Sequence, residues 1–431
     1  MIIIYSQNST PRFLYILKLI FTTILGVNFK VTNDINEYNN VLGPKLNYSE
    51  MVLDGINIKP ATLLFETNIH VFEPTIIMSN SIPCIFPIKD SDMPFDLFAA
   101  SFYMVSRYEE YHEQPLDNHG RILATESLAY RKHFLEMPVV DHWAYSLKAK
   151  ILEKYPNFSF PSRYFKHIPT IDIDIAFAFK YHGIIRTVGG IIKRFLHGDF
   201  ADIKSRLNTL IFNKKDPYDV FDLLQEWYKK FDLAPVIFFL VGNYGPYDRN
   251  INPKHPGMTK LLRRINGLFP IGVHPSYASN SDFILLQKEV QSLSSITESK
   301  VTRSRQHFLK HKMPETYQNL INCDIKEDFT MGYATVPGFR AGTCTPYQFY
   351  NLREETETAL KIYPFQLMDD NFIKYMSISP EAAIKKITEI QQQIRQVDGT
   401  LISLWHNVSL SETGQWKNWQ GVYLKMLEVT H

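Results

Sequence analysis

The feature that most constrains the fold is an alternation of apolar, strand-like runs with helical stretches from Pro169 onward. One of the helical stretches, 380–397, has Ser379 as its cap and Pro380 at its first position, a typical helix start. Such alternation favours a parallel sheet, and at this length a closed or partly closed α/β barrel. The strand-like runs are "TIDIDIAFAF" (170–179), "APVIFFLVG" (234–242), "FPIGVHPS" (269–276), "VTRSRQHFL" (301–309), "VPGFRAGT" (336–343) and "TLISLWHN" (400–407).

The first 160 residues have a different pattern, with short strand-like runs such as "ATLLFET" and "SIPCIFPI" among helical stretches. The polar, proline-flanked connection at 156–169 predicts a domain boundary. We therefore expect an N-terminal α/β domain at 1–160 and the barrel at 161–431. Near the start, "RFLYILKLIFTTILG" (12–26) predicts a buried helix and not a signal peptide, because Thr10 supplies a helix cap and no small-residue cleavage site follows.

Composition excludes several classes of protein. Net charge is +2 and no long basic block occurs, so nucleic acid is not expected as a partner. Three cysteines are too few for a disulfide framework or a cysteine zinc site. No apolar stretch is long enough to span a bilayer. We expect a cytoplasmic location, with periplasmic or cell-envelope association as the alternative.

Two carboxylates interrupt the strand-like run at 170–179. Asp172 and Asp174 are two residues apart, so in a strand they point to the same face. Buried carboxylates are costly unless they are paired or bind a metal. One can hold a cation while its neighbour acts as a base, and a hydrogen-bonded strand end is the alternative interpretation.

Histidines and an arginine stand near the ends of three other strand-like runs. His274 ends one run, Arg305 and His307 share a face of the next, and His406 lies near the end of the last. The carboxyl ends of barrel strands meet at one edge, so these side chains predict one site. Together with the aspartates they indicate a metal-assisted hydrolase.

The ordered motifs "TIDID", "APVIFFLVGNY", "IGVHPSYAS", "RSRQHFLKHKMPETYQNL" and "LWHN" resemble the polysaccharide deacetylase family, also called the NodB-homology or carbohydrate esterase 4 family. The resemblance covers roughly 165–410 and implies a distorted (β/α)7, TIM-like barrel. The stretch 96–121 is similar to an N-terminal domain of unknown function that precedes the barrel in a Bacteroidetes-type subgroup.

The resemblance implies a role for each matching residue. Asp172 matches the catalytic base, Arg305 the arginine that orients it, and His406 the late acid. Asp174 and His274 match metal ligands. Arg340 and Asp369 match the family's fourth motif loosely, as substrate-binding candidates, and Tyr277 and Trp405 are aromatic candidates for stacking on sugar rings.

One departure from the family concerns the second metal histidine, because Ala278 stands where that residue is expected. His307 can supply the third ligand in its place, the metal can keep an extra water, or no metal binds tightly. Carboxylate and imidazole ligands suit a divalent ion, zinc by preference, with cobalt, nickel or iron as alternatives.

The resemblance implies a metal-dependent hydrolase that removes N-acetyl or O-acetyl groups from a carbohydrate or polysaccharide, such as a cell-surface glycan. The acetylated carbohydrate is then the partner. One alternative is a catalytically degenerate glycan-binding or scaffold protein. Another is a glycoside hydrolase with two carboxylates, for which Asp369 is the second acid.

Overall fold

Two separate parallel sheets organise the chain in a computed structural model that describes residues 1–429. The first sheet belongs to the N-terminal part and has the order β2-β1-β3-β4. A two-stranded antiparallel hairpin, β5–β6, accompanies it. The strands are β1 (Ile2–Tyr5), β2 (Phe29–Thr32), β3 (Lys45–Asn47), β4 (Ile56–Asn57), β5 (Ile76–Ser79) and β6 (Ile82–Ile85), and the helices are α1 (Pro11–Leu17), α2 (Ile35–Asn40), α3 (Leu97–Val105), α4 (Leu128–Arg131) and α5 (Val139–Lys154).

The N-terminal helix forms where the sequence predicts it. The Thr10 side chain accepts a hydrogen bond from the Phe13 amide, and Pro11 occupies the first helical position. The helix continues beyond α1 as a π-helical segment, Lys18–Ile24. Gly26 follows with φ +70°, a left-handed conformation that glycine adopts without steric cost.

The second part of the chain builds the larger sheet. Its strands are β7 (Lys166–Ile173), β8 (Val236–Leu240), β9 (Ile271–His274), β10 (Arg303–Ser304), β11 (Glu327–Asp328), β12 (Tyr347–Asn351), β13 (Thr356–Ile362), β14 (Leu367–Met368) and β15 (Thr400–His406). Its helices are α6 (Gly183–Leu196), α7 (Phe200–Leu210), α8 (Phe221–Lys230), α9 (Pro256–Asn266), α10 (Phe283–Thr297), α11 (Glu315–Asn322), α12 (Pro380–Arg395) and α13 (Trp419–Val429).

The larger sheet is open. Within residues 1–429 its order is β12-β13-β11-β10-β9-β8-β7-β15-β14, and no strand pair joins β14 to β12. Of the closed or partly closed barrel predicted from the sequence, the closed form is therefore not seen, and β12 lies at one edge, paired antiparallel with β13. However, β13 and β14 are separated only by residues 363–366, a connection that spans at most about 18 Å. The two flanks of the sheet must therefore lie near each other.

Strand register gathers the polar residues on one face. Asp172 of β7 lies opposite Phe238 of β8 and His406 of β15. Residues opposite each other in parallel strands project to the same side, so these three share a face. Below Asp172 and His406 the same face is filled by a small apolar cluster that includes Phe238, Val236, Ile402 and Leu404. The polar residues thus stand at the carboxyl ends of strands, above an apolar floor.

Several expected strands differ from the structure. The run at 336–343 is irregular, because its glycines and proline sit among turns and its Arg340 is held by Glu110. The run "ATLLFET" contains a 3-10 helical turn, Thr62–Phe65. By contrast, the expected strands at 170–179, 234–242, 269–276 and 400–407 contain β7, β8, β9 and β15, and α12 begins at Pro380 with the predicted Ser379 cap.

Buried polar contacts join the N-terminal part to the larger sheet. Arg340 donates two hydrogen bonds to the Glu110 carboxylate, at 2.9 and 2.8 Å. Asp141 of α5 accepts from the Thr343 hydroxyl at 2.7 Å and from the Cys344 amide at 3.0 Å. These residues are buried, and apolar side chains from both parts form one core cluster. The two parts are therefore packed against each other and not merely tethered.

Among the described helices, none has the length and apolar character required to cross a membrane.

Candidate active site

Asp172 is fixed by a buried arginine. Arg305 Nη1 donates to Asp172 Oδ1 at 2.9 Å and to Thr170 Oγ1 at 2.7 Å, and its Nε donates to the Phe329 carbonyl at 2.9 Å. The guanidinium lies 4.8 Å from the centre of the Phe238 ring. An ion pair in such an apolar setting holds the carboxylate in one orientation. Oδ2 of Asp172 then faces His274 Nε2, 3.8 Å away.

Three predicted metal ligands come together beside this pair. Asp174 Oδ1 lies 3.3 Å from His274 Nε2, and Asp174 Oδ2 lies 3.6 Å from His307 Nε2. One ligand atom from each of the three residues lies within 4.8 Å of the others. The two imidazoles are buried and Asp174 is partly exposed. The structure therefore places His307 next to the Asp174 carboxylate.

Each imidazole has its other ring nitrogen occupied. His274 Nδ1 lies 2.5 Å from the Arg305 carbonyl oxygen, and His307 Nδ1 lies 2.8 Å from Asp248 Oδ1. Both partners are acceptors, so each Nδ1 carries the proton and donates it. Each Nε2 then faces Asp174, and its lone pair is available to a metal ion once that nitrogen has given up its proton. This is the arrangement by which a neighbouring acceptor fixes the tautomer of a metal-binding histidine.

Neighbouring imidazoles stabilise the ionised form of Asp174. Burial raises the pKa of the Asp174 carboxyl, but the His307, His274 and His406 imidazoles outweigh burial and hold that pKa well below its ordinary value. Burial lowers the pKa of His307, while the Asp174 and Asp248 carboxylates raise it to about 9. Asp174 is therefore ionised at neutral pH.

The residues fit a divalent metal ion. Two ligands on a tetrahedral zinc ion, each about 2.05 Å from it, lie about 3.3 Å apart. The Asp174–His274 and Asp174–His307 separations are 3.3 and 3.6 Å. Asp174 Oδ1 is also a buried oxygen without a hydrogen-bond donor, as expected for an atom that bonds a cation. One carboxylate and two imidazoles form a three-ligand set that leaves a fourth position for substrate or water.

His406 faces the same carboxylate from β15. Its Nε2 lies 3.9 Å from Asp174 Oδ2, while its Nδ1 donates to Asp369 Oδ1 at 2.9 Å. Burial lowers the pKa of His406, but Asp369 and Asp174 raise it to about 10. Asp369 also accepts from the His406 amide at 2.8 Å and from the Ser409 hydroxyl. The structure thus places a protonated imidazole across the cluster, and Asp369 lies buried behind it instead of facing the cleft.

A narrow cavity of about 250 Å³ opens over the cluster. Asp172, Asp174 and His406 lie in its floor, and Lys374 and Tyr375 line its rim. A larger cavity of about 870 Å³ continues from it past Asp174 and His406 towards α7. The two cavities share Asp174, Asp370, Lys374 and His406 in their linings, and we call them together the cleft.

The N-terminal part contributes a residue to this cleft. Arg121 lines the narrow cavity, and its Nη1 donates to the Phe308 carbonyl at 2.9 Å. Its Nη2 donates to the Tyr375 hydroxyl at 3.2 Å, and its Nε pairs with Asp117 at 2.7 Å. The sequence did not predict this role, because Arg121 is far from the strand ends in the chain.

Tyr277 lies beside the cluster, where it forms an aromatic ledge with Tyr247. Its ring stacks on Tyr247 with centroids 4.2 Å apart, and Lys310 Nζ lies 4.3 Å from the ring centre. The Tyr277 amide donates to Asp248 Oδ1 at 2.9 Å, which ties the ledge to the residue that orients His307. The structure therefore brings this substrate-binding candidate close to the predicted ligands.

Two other candidates are not brought to the cluster. Arg340 is buried against Glu110, with its guanidinium committed to that carboxylate and to the Gly332 carbonyl. Trp405 is fully buried and packs on Tyr423 with centroids 4.8 Å apart. Neither side chain lines the cleft.

Asp248, like Arg121, is a site residue that the sequence did not predict. It lies in the loop after β8, a strand whose carboxyl end borders the site, and it is buried. An acid after such a strand is a weak signal, because the loop at 241–255 also carries many other polar residues. Only the fold shows that its carboxylate contacts His307.

The chain matches one family model and is distantly similar to several solved structures. A family model described as a family of unknown function (DUF7033) matches residues 2–156. Comparison with curated proteins gives no match. Among solved structures, a protein from Mycobacterium smegmatis assigned to the polysaccharide deacetylases is 14% identical, with a TM-score of 0.41, over 63% of this chain and 86% of that one.

Two further solved structures are similarly distant. A polysaccharide deacetylase from Bacillus cereus is 11% identical, with a TM-score of 0.29, over 61% of this chain and 87% of that one. A carbohydrate esterase 4 pseudoenzyme from Bacillus anthracis is 11% identical, with a TM-score of 0.31, over 61% of each chain.

Proposed function

We propose that this protein is a metal-dependent hydrolase that removes acetyl groups from a carbohydrate, with the N-acetyl amide as its substrate group. The observation that carries the proposal is the Asp174, His274 and His307 cluster beside an arginine-held Asp172 and opposite His406. Motif order along the chain, which resembles polysaccharide deacetylases, supports it. We also propose that the larger sheet is a distorted, opened barrel of the (β/α)7 type.

Asp174, His274 and His307 would hold the metal. The chemistry supplied there by a divalent ion would be polarisation of the acetyl carbonyl and a lower pKa for a water molecule, so that water could act as a nucleophile near neutral pH. Zinc suits this ligand set, and cobalt, nickel and iron are alternatives.

Asp172 is the proposed base. It accepts the proton of the attacking water as the bond between the water oxygen and the acetyl carbon forms. Arg305 stops the Asp172 carboxylate from rotating, since Nη1 bonds both Asp172 and Thr170. Orientation of this kind lowers the barrier because no reorganisation is needed during attack.

His406 is the proposed acid. Its raised pKa, about 10, keeps it protonated at neutral pH, and Asp369 fixes the ring so that Nε2 points into the cleft. As the carbon–nitrogen bond breaks, Nε2 gives its proton to the departing nitrogen. The products are acetate and a free amino sugar.

Sugar rings are the proposed contacts of the aromatic ledge. Tyr277 and Tyr247 are stacked with each other and lie partly or largely exposed beside the site. An exposed aromatic face next to a cleft of this volume suits a ring of carbohydrate. The volume of the larger cavity, about 870 Å³, favours an oligosaccharide over a single acetylated sugar.

Acetate release from N-acetylglucosamine oligomers tests the proposal. We expect zinc-loaded protein to release acetate, chelation to stop it, and Asp174→Asn to abolish both zinc binding and turnover. Asp232→Asn is the matched control, because Asp232 is exposed and distant from the cluster in sequence. Oligomers carrying only O-acetyl groups distinguish ester from amide hydrolysis.

Sugar binding that survives both chelation and Asp172→Asn, without any acetate release from the wild type under metal-rich conditions, would contradict the proposal. That result would instead support a glycan-binding protein built on a degenerate site.

A further inference from the structure

Helix α6 presents its apolar face to solvent. Within the helix, none of the side chains is buried. Ile185 is 89% exposed, Ile184 82% and Leu196 76%. Val188, Ile192 and Phe195 are exposed as well. These six residues recur at spacings of three and four, so they form one continuous stripe along the helix.

The polar side of α6 is the side that contacts the rest of the protein. Arg186 donates to the Arg249 carbonyl at 3.0 Å and to the Asn250 carbonyl at 3.1 Å, and its guanidinium lies 4.3 Å from the centre of the Tyr244 ring. Arg194 lines the larger cavity of the cleft. A surface helix of a globular protein normally does the opposite and packs its apolar stripe on the core. We therefore expect another molecule to bind the exposed apolar stripe.

The stripe continues into α7 and the residues after it. Phe200 is 63% exposed and touches Phe195 with ring centroids 6.0 Å apart. Ile211 and Phe212, just beyond α7, are 67% and 69% exposed. Residues 183–212 thus form a helical hairpin, which we call the α6–α7 hairpin, with a broad exposed apolar surface. Exposed apolar surface on this scale marks an interaction site.

Basic residues outnumber acidic ones along the apolar surface. Residues 183–212 contain five lysines and arginines and two aspartates, a net charge of +3, and Lys214 and Lys215 follow directly. Lys193, Lys204, Lys214 and Lys215 are exposed. The occupant of this surface should therefore be apolar and carry negative charge. A second copy of the chain does not meet that requirement, because two hairpins of net charge +3 would repel each other.

We propose that the α6–α7 hairpin docks the protein onto an anionic lipid surface. Apolar side chains of the stripe enter the boundary between head groups and acyl chains, while the basic side chains contact anionic head groups. The proposal rests on the placement of the hairpin and not on the chemistry proposed for the cleft. The hairpin also lines the larger cavity, through Arg194, Asp202 and Arg206, so docking would bring the membrane next to the cleft.

Vesicle sedimentation of the full chain tests the docking. The probes are phosphatidylcholine vesicles and vesicles in which about one third of the lipid is phosphatidylglycerol. We expect binding to the anionic vesicles, weaker binding in high salt, and at least about tenfold weaker binding after the double change Ile185→Ser and Leu196→Ser. The matched control is Leu42→Ser with Val71→Ser, since these side chains are 98% and 83% exposed outside the hairpin.

Three results would overturn the docking. The first is that the wild type does not bind anionic vesicles. The second is that the hairpin variant and the control bind equally well. The third is that the wild type forms a concentration-dependent dimer and the hairpin variant does not. Thermal melting of each variant checks that the fold is intact. Acetate release from soluble oligomers is measured separately, so a failure of docking and a failure of the deacetylase proposal give different results.

Discussion

Asp248 offers a sharp test of the metal site, because it orients the proposed ligand His307 and is not itself a proposed ligand. Its Oδ1 accepts the His307 Nδ1 proton at 2.8 Å and the Tyr277 amide at 2.9 Å. Asp248→Asn keeps the shape and one acceptor oxygen but removes the negative charge from the bond. Charge-assisted hydrogen bonds are roughly twice as strong as neutral ones, and loss of such a partner weakens metal binding by about 10–100-fold.

Calorimetric titration of metal-free protein with zinc measures this effect. A 10–100-fold loss of affinity corresponds to about 1.4–2.7 kcal/mol at 25 °C. We expect a loss in that range for Asp248→Asn and no change for the exposed control Asp232→Asn. Circular dichroism checks that both variants fold. If Asp248→Asn binds zinc within twofold of the wild type, His307 is not a ligand whose orientation matters, and the reasoning fails.

Three further predictions concern the base, the cleft and the contact between the two parts. Asp172→Asn should lower turnover at least about 100-fold and leave zinc affinity nearly unchanged; a parallel loss of affinity would contradict its role as the base. Arg121→Ala should raise KM about tenfold with a smaller effect on kcat, measured with soluble oligomers; an unchanged KM would remove Arg121 from the substrate cleft. Glu110→Gln should destabilise the fold by about 3–5 kcal/mol in chemical denaturation, whereas the exposed control Glu113→Gln should not.

The Glu110 change also predicts how stability depends on pH. Burial raises the pKa of Glu110, but Arg340 and Arg107 outweigh burial and lower it to about 2. A depressed pKa gives stability that is present above the ordinary value of 4.5 and is lost as pH falls towards 2. Part of the acid sensitivity of the wild type between pH 4.5 and 2 should therefore be absent from Glu110→Gln. Melting curves over that window check it.

Much of the sheet was predictable because its strands are long, apolar and bounded by turns. The runs containing β7, β8 and β15 show this, and the period of two placed Asp172 and Asp174 on one face. Short elements gave weaker signals. β10 is only two residues long, and β11 and β14 are equally short, so their pairing depends on tertiary contacts that no local pattern records.

The site shows a similar division. Candidate ligands at strand ends were recognisable, because the carboxyl ends of parallel strands meet at one edge. The orienting roles of Asp248 and Asp369 were not recognisable. Asp248 reaches His307 across 59 positions of sequence, and Asp369 reaches His406 across 37. Arg340 was a candidate only through a loose match to a family motif, and its guanidinium bonds Glu110 of the N-terminal part.

Anomalous diffraction at the zinc edge, from crystals of zinc-loaded protein, tests the central claim most directly. We expect one strong peak within bonding distance of Asp174, His274 Nε2 and His307 Nε2, and no peak there for Asp174→Ala. An empty cluster under zinc-rich conditions would contradict the claim. So would a peak only at the neighbouring group of Asp369, Asp370 and His406, because that would make His406 a ligand and leave the proposed chemistry without its acid.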